Sequence, residues 1–221
     1  MHLGQISVDG EDFIGLMGFS TDGYAITSPK LDDVDVLGVP SVSSKLYGTN
    51  FVGLFCAGNS RGLLLPHFVC DATISLLKDF FSEKNLDVEV GVLSDKYTAV
   101  GNLIACNDNA ALISPLIDSV KRIEDVLGVE VHSFKVGDHL EVGSCCVVTN
   151  RGFLAHPDAA DELHELSDLF KVSGNVGSVN FGIPYIKSGI IANSRGYLVG
   201  SKTTGIEIGR IDEALGFLDE D

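Results

Sequence analysis

Residues 53–66 read Gly-Leu-Phe-Cys-Ala-Gly-Asn-Ser-Arg-Gly-Leu-Leu-Leu-Pro. An apolar run leads to the polar turn Asn59-Ser60-Arg61-Gly62, and a second apolar run leaves it for Pro66. Asn and Gly both tolerate positive φ, and an Asn side chain can bond its own backbone, so the stretch predicts two strands joined by a tight turn. The pattern recurs five times. The turn glycine or its stand-in is Gly23, Gly62, Ala110, Gly152 and Gly196, at intervals of 39, 48, 42 and 44 residues. Three positions before each stands a small polar residue: Ser20, Asn59, Asn107, Thr149 and Asn193. Seven to nine positions before each stands another glycine: Gly15, Gly53, Gly101, Gly143 and Gly189. Pro29, Pro66, Pro115 and Pro157 follow four of the turns. At the one departure, Asn109-Ala110, Asn109 is expected to take the positive φ. Several anchors coinciding at one period mark a repeat architecture.

The repeats cover approximately residues 9–48, 49–98, 99–138, 139–184 and 185–217. Each reads as strand, turn, strand, helix and, in most, a closing strand. Helices are expected at 31–38 (short and weak), 71–84 with Asp71 as N-cap, 115–127, 157–170 and 206–215. Closing strands are expected at 39–47, 86–93, 129–136 and 172–181. Apolar spacing assigns buried faces to Ile74, Leu77, Phe80 and Phe81; to Leu116, Ile117, Val120, Ile123 and Leu127; and to Ala159, Leu163, Leu166 and Phe170. The fifth repeat lacks a closing strand, while residues 1–8 read as a strand that belongs to no earlier repeat. Pairing the two would close a ring and remove exposed sheet edges. One unit cannot bury its apolar face alone but five together can, so a single α+β domain over residues 1–221 is predicted.

Composition narrows the function. The chain has 221 residues, 45% of them hydrophobic, and a formal charge of −16. That charge opposes nonspecific binding to nucleic acid or an anionic membrane and favours a basic partner. No apolar run reaches the length of a membrane span and no secretory signal is evident, so a cytoplasmic protein is expected. The five cysteines, Cys56, Cys70, Cys106, Cys145 and Cys146, include no CxxC pair and are expected to be free, mostly buried thiols. His132, His139, His156 and His164 lack a metal-ligand spacing such as HExxH, and no GxxxxGK phosphate loop occurs. No cofactor, metal or catalytic residue is predicted.

Four blocks carry a resemblance: Gly58-Asn59-Ser60-Arg61-Gly62-Leu63-Leu64-Leu65-Pro66; Gly101-Asn102 with Cys106-Asn107-Asp108; Val148-Thr149-Asn150-Arg151-Gly152; and Gly177-Ser178-Val179-Asn180-Phe181-Gly182. Together they closely resemble the translation initiation factor 6 family of ribosome anti-association factors, across essentially the whole chain. The chain stops soon after the fifth helix, as the archaeal type does. The resemblance implies a pentein fold, five αβ units around a pseudo-fivefold axis. It implies binding to the intersubunit face of the large ribosomal subunit, blocking the small subunit. The main contact would be a basic ribosomal protein beside the sarcin–ricin loop, with limited rRNA contact, and release would involve a GTPase and its partner protein. A monomer is expected.

The resemblance maps the ribosome-binding surface to the region of Gly15, Leu54, Asn59 and Asn102, with Arg61 beside it. Asn59 and Asn107 are also explained as turn-formers. Asn102 does not recur at its repeat position, where Leu54 and Ser144 stand, so scaffolding explains it less well. Arg61, Arg151 and Arg195 precede turn glycines, where they are either solvated or in contact with phosphate. Two alternatives stay open: a pentein-type guanidino-modifying enzyme, and an interaction scaffold with another partner. The first needs a cysteine nucleophile in the fifth unit, and that unit contains neither Cys nor His from Gly189 onward.

Overall fold

Each turn motif forms the hairpin of one small sheet. The computed structural model describes residues 2–218. Strand β1 (Leu3–Ile6) comes first, then a 3-10 turn at Ile14–Leu16, β2 (Gly18–Ser20), β3 (Ala25–Thr27), a 3-10 turn at Asp35–Leu37, and β4 (Ser41–Ser43). The second unit is α1 (Val52–Phe55), β5 (Ala57–Gly58), β6 (Gly62–Pro66), α2 (Asp71–Glu83) and β7 (Glu89–Leu93). The third is α3 (Val100–Leu103), β8 (Ile104–Cys106), β9 (Ala110–Ile113), α4 (Val120–Leu127) and β10 (Glu130–Ser133). The fourth is α5 (Val142–Cys145), β11 (Cys146–Val148), β12 (Phe153–Ala155), a 3-10 segment Pro157–Glu162, α6 (Leu163–Phe170) and β13 (Gly174–Val176). The last is a 3-10 turn at Ile186–Ser188, β14 (Ile190–Ala192), β15 (Tyr197–Gly200) and α7 (Gly205–Ala214). The content is α+β, in five three-stranded sheets with no closed barrel among the described residues.

All five sheets share one plan. The first two strands are antiparallel and a third joins the second in parallel, as in β5–β6–β7. A parallel neighbour requires a crossover, which α2, α4 and α6 supply in the three middle units and the segment with the Asp35–Leu37 turn supplies in the first. In the last sheet the third strand is β1, paired in parallel with β15 from Leu3↔Tyr197 to Ile6↔Gly200.

The core explains why the central strands are apolar without alternation. Leu63 and Leu65 of β6 enter a cluster with Tyr24 and Ile26 of the first unit, whereas Leu64 enters one with Ile104 and Ile123 of the third. Further clusters join the third unit to the fourth, the fourth to the fifth, and the fifth (Ile191, Leu198) to the first (Ile14, Ala25). Each middle strand is covered on both faces, so both faces are apolar.

Local structure departs from the sequence reading at several points. The glycine-bearing stretch before each hairpin is a short helical turn, not the start of a strand. Backbone proximity is the reason: a Cβ on Gly53 would lie 2.0 Å from Gly15 O, one on Gly101 2.1 Å from Gly53 O, and one on Gly143 2.4 Å from Gly101 O. In the fifth unit the matching residue is Lys187, not Gly189, for a Cβ on Gly15 would lie 1.8 Å from Lys187 O. Three of the turn glycines, Gly62, Gly152 and Gly196, also serve close approach, whereas a Cβ on Gly23 would come no nearer than 3.5 Å to its neighbours. None of Gly23, Gly62, Gly152 and Gly196 has positive φ, and neither does Asn109. A Cβ on Gly62 would lie 2.2 Å from Val126 O, and one on Gly152 2.1 Å from Ala214 O. In the first unit the turn is shifted by one residue: Thr21 Oγ1 accepts from Gly23 N and Tyr24 N, so Thr21 and Tyr24 fill the roles assigned to Ser20 and Gly23.

The helices are shorter than their apolar stripes. The 31–38 segment forms only the 3-10 turn Asp35–Leu37. The third helix begins at Val120, not 115, because Asp95 Oδ1 accepts from Asp118 N and Ser119 N and fixes the preceding loop. Val120 is consequently exposed, and Val126 is buried in its place. The residue before α2 is Cys70 rather than Asp71, and no side chain caps that end. The closing strands are trimmed because several are followed by a short two-residue bridge, Leu46↔Thr49, Val136↔His139 and Val179↔Ile183.

Candidate functional site

The hairpins give the molecule two distinguishable ends. At one end lie the turns, and at the other lie the helical turns with the bridged loops that precede them. The resemblance places Asn59 and Arg61 in one region with Gly15, Leu54 and Asn102, whereas the structure puts them at different ends of the hairpin. Asn59 and Arg61 are at the turn end. Gly15, Leu54 and Asn102 are at the other, on adjoining backbone: a Cβ on Gly101 would lie 2.9 Å from Leu54 O, and one on Gly53 2.0 Å from Gly15 O.

The turn end is fully engaged in joining units. Asn59 is 2% exposed. Its Nδ2 donates to Asn107 O (3.2 Å) and Leu127 O (3.0 Å), while its Oδ1 accepts from Arg61 N and Gly62 N. Asn107 repeats this with Thr149 O and Phe170 O, and Asn193 with Thr21 O and Leu37 O. Each amide shapes its own turn and caps the C-terminus of the next unit's helix, where carbonyls lack intrahelical donors. The arginines work alongside. Arg195 Nη1 donates to Gly38 O, Arg151 Nη2 to Gly216 O, and Arg61 Nη2 to Asp108 O beside Gly128. Cations at helix C-termini also complement the helix dipole. Arg195 and Arg151 thus cap the ends of the Asp35–Leu37 turn and of α7, while Arg61 bonds the neighbouring hairpin turn.

Asn102 differs from these. It is half-buried on α3, its backbone N–H bonds Ala99 O, and its side-chain amide has no hydrogen bond to the described residues. Around it the exposed surface is aromatic. Every large aromatic exposed among the described residues (Phe13, Tyr47, Phe51, Tyr97, Phe181 and Tyr185) lies in the loops leading into the helical turns. Phe13, Phe51 and Tyr185 occupy equivalent sites, immediately before the helical turns of three units.

Phe181 is the extreme case and was not singled out by sequence. It is 81% exposed with φ 63°, a conformation few aromatic residues adopt. Glu207 holds it there: its carboxylate accepts from Phe181 N, Gly182 N, Thr204 N and Ser178 Oγ. Burial alone would raise the pKa of Glu207, but these bonds outweigh it and bring the value down to about 2. Asn180, with Nδ2 on Asp12 O, pins the same loop. Strain held by an over-determined surrounding is a feature of functional loops. The signal was present as an aromatic between Asn180 and Gly182 in a polar turn.

Between the two ends lies a cavity of about 50 Å³, lined by β2, β5, β8, β11 and β14 and by Lys187. Lys187 Nζ donates to Gly101 O (2.7 Å) and Cys56 O (3.4 Å) and stands over the Phe19 ring. One side chain from the fifth unit thus ties to the first three. Enclosure of the ammonium lowers its pKa to about 8. The folded state therefore holds fewer protons than the unfolded chain between pH 8 and 10.5, and this group adds stability as pH rises through that window. The stability of wild type minus that of Lys187→Met should increase between about pH 8 and 10, as read by urea unfolding at each pH. A flat or falling difference would contradict this.

The same cavity does not suit a guanidino-modifying site. Burial raises the thiols of the two cysteines that line it, Cys106 to about 12 and Cys146 likewise upward, which disfavours a thiolate nucleophile there. No histidine lines the cavity. All five thiols are free; Cys56, Cys145 and Cys146 are buried, Cys106 is partly buried and Cys70 is exposed. No helix among the described residues is long and apolar enough to cross a membrane.

Comparison with known proteins agrees across the chain. A family model described as the eIF-6 family matches residues 3–214. Translation initiation factor 6 of Thermococcus onnurineus is 41% identical over 99% of this chain and 100% of its own length. That of Methanocaldococcus jannaschii is 42% identical over 93% of this chain and 94% of its own. The Saccharolobus islandicus protein of the same name is 40% identical over 98% and 100%.

Proposed function

The chain belongs to the eIF-6 family, and from that membership we propose that it binds the intersubunit face of the large ribosomal subunit and sterically blocks the small one. Its relatives are translation factors rather than enzymes, and occlusion requires a rigid body and a specific patch but no chemistry. We read the five sheets as the blades of a pentein ring, one domain over residues 1–221 closed by β1. The partner on the subunit is a basic ribosomal protein beside the sarcin–ricin loop, with limited rRNA contact, which suits a chain of charge −16. Release by a GTPase and its partner protein, a cytoplasmic location and a monomeric state complete the reading.

The observation that carries the proposal is the unpartnered Asn102 amide on the one end that gathers the exposed aromatics. Rigid aromatic anchors with a few polar groups are the usual composition of energetic hot spots. Gly15 and Leu54 form the backbone floor of this face, Asn102 its polar contact and Phe181 its most exposed anchor. Asn59 and Arg61 belong to the scaffold at the other end. Co-sedimentation with separated archaeal subunits tests the assignment. Retention on large subunits alone is expected, weakened roughly 10- to 30-fold by Asn102→Ala or Phe181→Ala and unchanged by Arg61→Ala. Retention on neither subunit, or loss through Arg61 but not Asn102, would refute it.

A further inference from the structure

Two histidines and a carboxylate meet at the margin of the face described above, beside Tyr185. His139 ends the Val136↔His139 bridge, His156 follows β12, and Asp158 lies in the 3-10 segment Pro157–Glu162. The histidines are 17 positions apart, which conceals the cluster in the sequence. Asp158 Oδ2 is 3.1 Å from His139 Nε2 and 3.6 Å from His156 Nδ1, and one ligand atom from each of the three residues lies within 4.8 Å of the others. Tetrahedral bonds of about 2.0–2.1 Å place ligand atoms roughly 3.3 Å apart, close to both measured separations.

We propose that His139, His156 and Asp158 form a binding site for a divalent transition ion of the zinc class. Two imidazole nitrogens and one carboxylate oxygen are the donor set that such ions select, whereas magnesium and calcium select oxygen alone. Both histidines are prepared for the role. His156 Nδ1 accepts the Asp158 amide at 3.1 Å, so that nitrogen carries a lone pair and the proton sits on Nε2. The Tyr185 ring packs against both imidazoles and limits their rotation. Asp158 stays open to solvent, which leaves the ion an entry path and room for water at its remaining positions. Loading exchanges the Asp158 amide for the ion at His156 Nδ1, and this sets the main opposing term. The bound ion would fasten the 136–139 loop to the start of the fourth helix, beside Tyr185 of the binding end.

The test is equilibrium dialysis of the full chain against Zn²⁺, with Co²⁺ as a spectroscopic probe. All proteins carry Cys70→Ser, which removes the one exposed thiol. One saturable ion per chain is expected. His139→Ala and Asp158→Asn should each weaken it by roughly tenfold or more. His132→Ala and His164→Ala, which remove other histidines beside carboxylates, should leave it unchanged. Asp158→Asn preserves shape and the capping amide, so it carries the test should His139→Ala perturb folding. Absence of a saturable site, survival of binding in Asp158→Asn, or a sulfur-to-cobalt charge-transfer band would overturn the proposal.

Discussion

Gly101→Ala is expected to destabilise the protein by about 3 kcal/mol or more, at or beyond the upper range of overpacking substitutions. The added Cβ would lie 2.1 Å from Gly53 O, 2.7 Å from Cys56 O and 2.9 Å from Leu54 O. All three are backbone atoms of the neighbouring unit, so no side chain can swing aside. Relief requires α1 and α3 to separate, which opens the cluster of Leu64, Leu103 and Ile104 between them. Gly209→Ala provides the contrast. That glycine lies inside α7, does not have positive φ, and has no heavy atom within 4 Å of the position a Cβ would take. Its replacement should stabilise by about 0.5–1 kcal/mol through helix propensity. Urea unfolding of both variants checks the pair. A Gly101→Ala midpoint near that of wild type would contradict the close packing of the helical turns.

Asn107→Leu should cost about 3–5 kcal/mol although the volume is nearly conserved. The amide is buried and makes four hydrogen bonds. It donates to Thr149 O and Phe170 O and accepts from Asn109 N and Ala110 N. Leucine leaves Thr149 O, Asn109 N and Ala110 N without this partner, while Phe170 O keeps its bond from Asn109 Nδ2 (3.0 Å), and an unsatisfied buried group costs about 1–3 kcal/mol. Asn102→Leu serves as the control and should change stability by less than about 1 kcal/mol, since that amide bonds nothing among the described residues. Equal losses for the two variants would remove the distinction between scaffold and contact asparagines.

These two residues mark how far the sequence could be read. The recurrence of Asn59, Asn107 and Asn193 was enough to find five hairpins, because a side chain that shapes its own turn acts locally. Their second role, capping the helix of the next unit, spans 48 to 68 residues for Asn59 and leaves no local trace. The glycines illustrate the same limit. Their spacing was visible, but positive φ was the wrong reason. Close approach between units is the right one, and it alone reveals that Lys187 replaces the fifth glycine. The short helical turns read as strands because four apolar residues carry no resolvable period.

The candidate site was legible in part for a comparable reason. Asn102 stood out because it breaks the repeat, and its free amide explains why a scaffold has no use for it. Asn59 and Arg61 were placed there by the family resemblance, yet a strand and a turn separate them from Leu54. Phe181 depends on Glu207, 26 residues later, for its conformation, so its presentation could not be inferred from its own surroundings.

A subunit-joining assay tests the central claim most directly. Purified archaeal large and small subunits are mixed at a magnesium concentration that permits association, and light scattering follows joining as the protein is added. Wild type and Arg61→Ala should suppress joining in proportion to large subunits occupied, while folded Asn102→Ala and Phe181→Ala should require roughly tenfold more protein. Unimpeded joining with wild type bound to the large subunit would contradict steric exclusion.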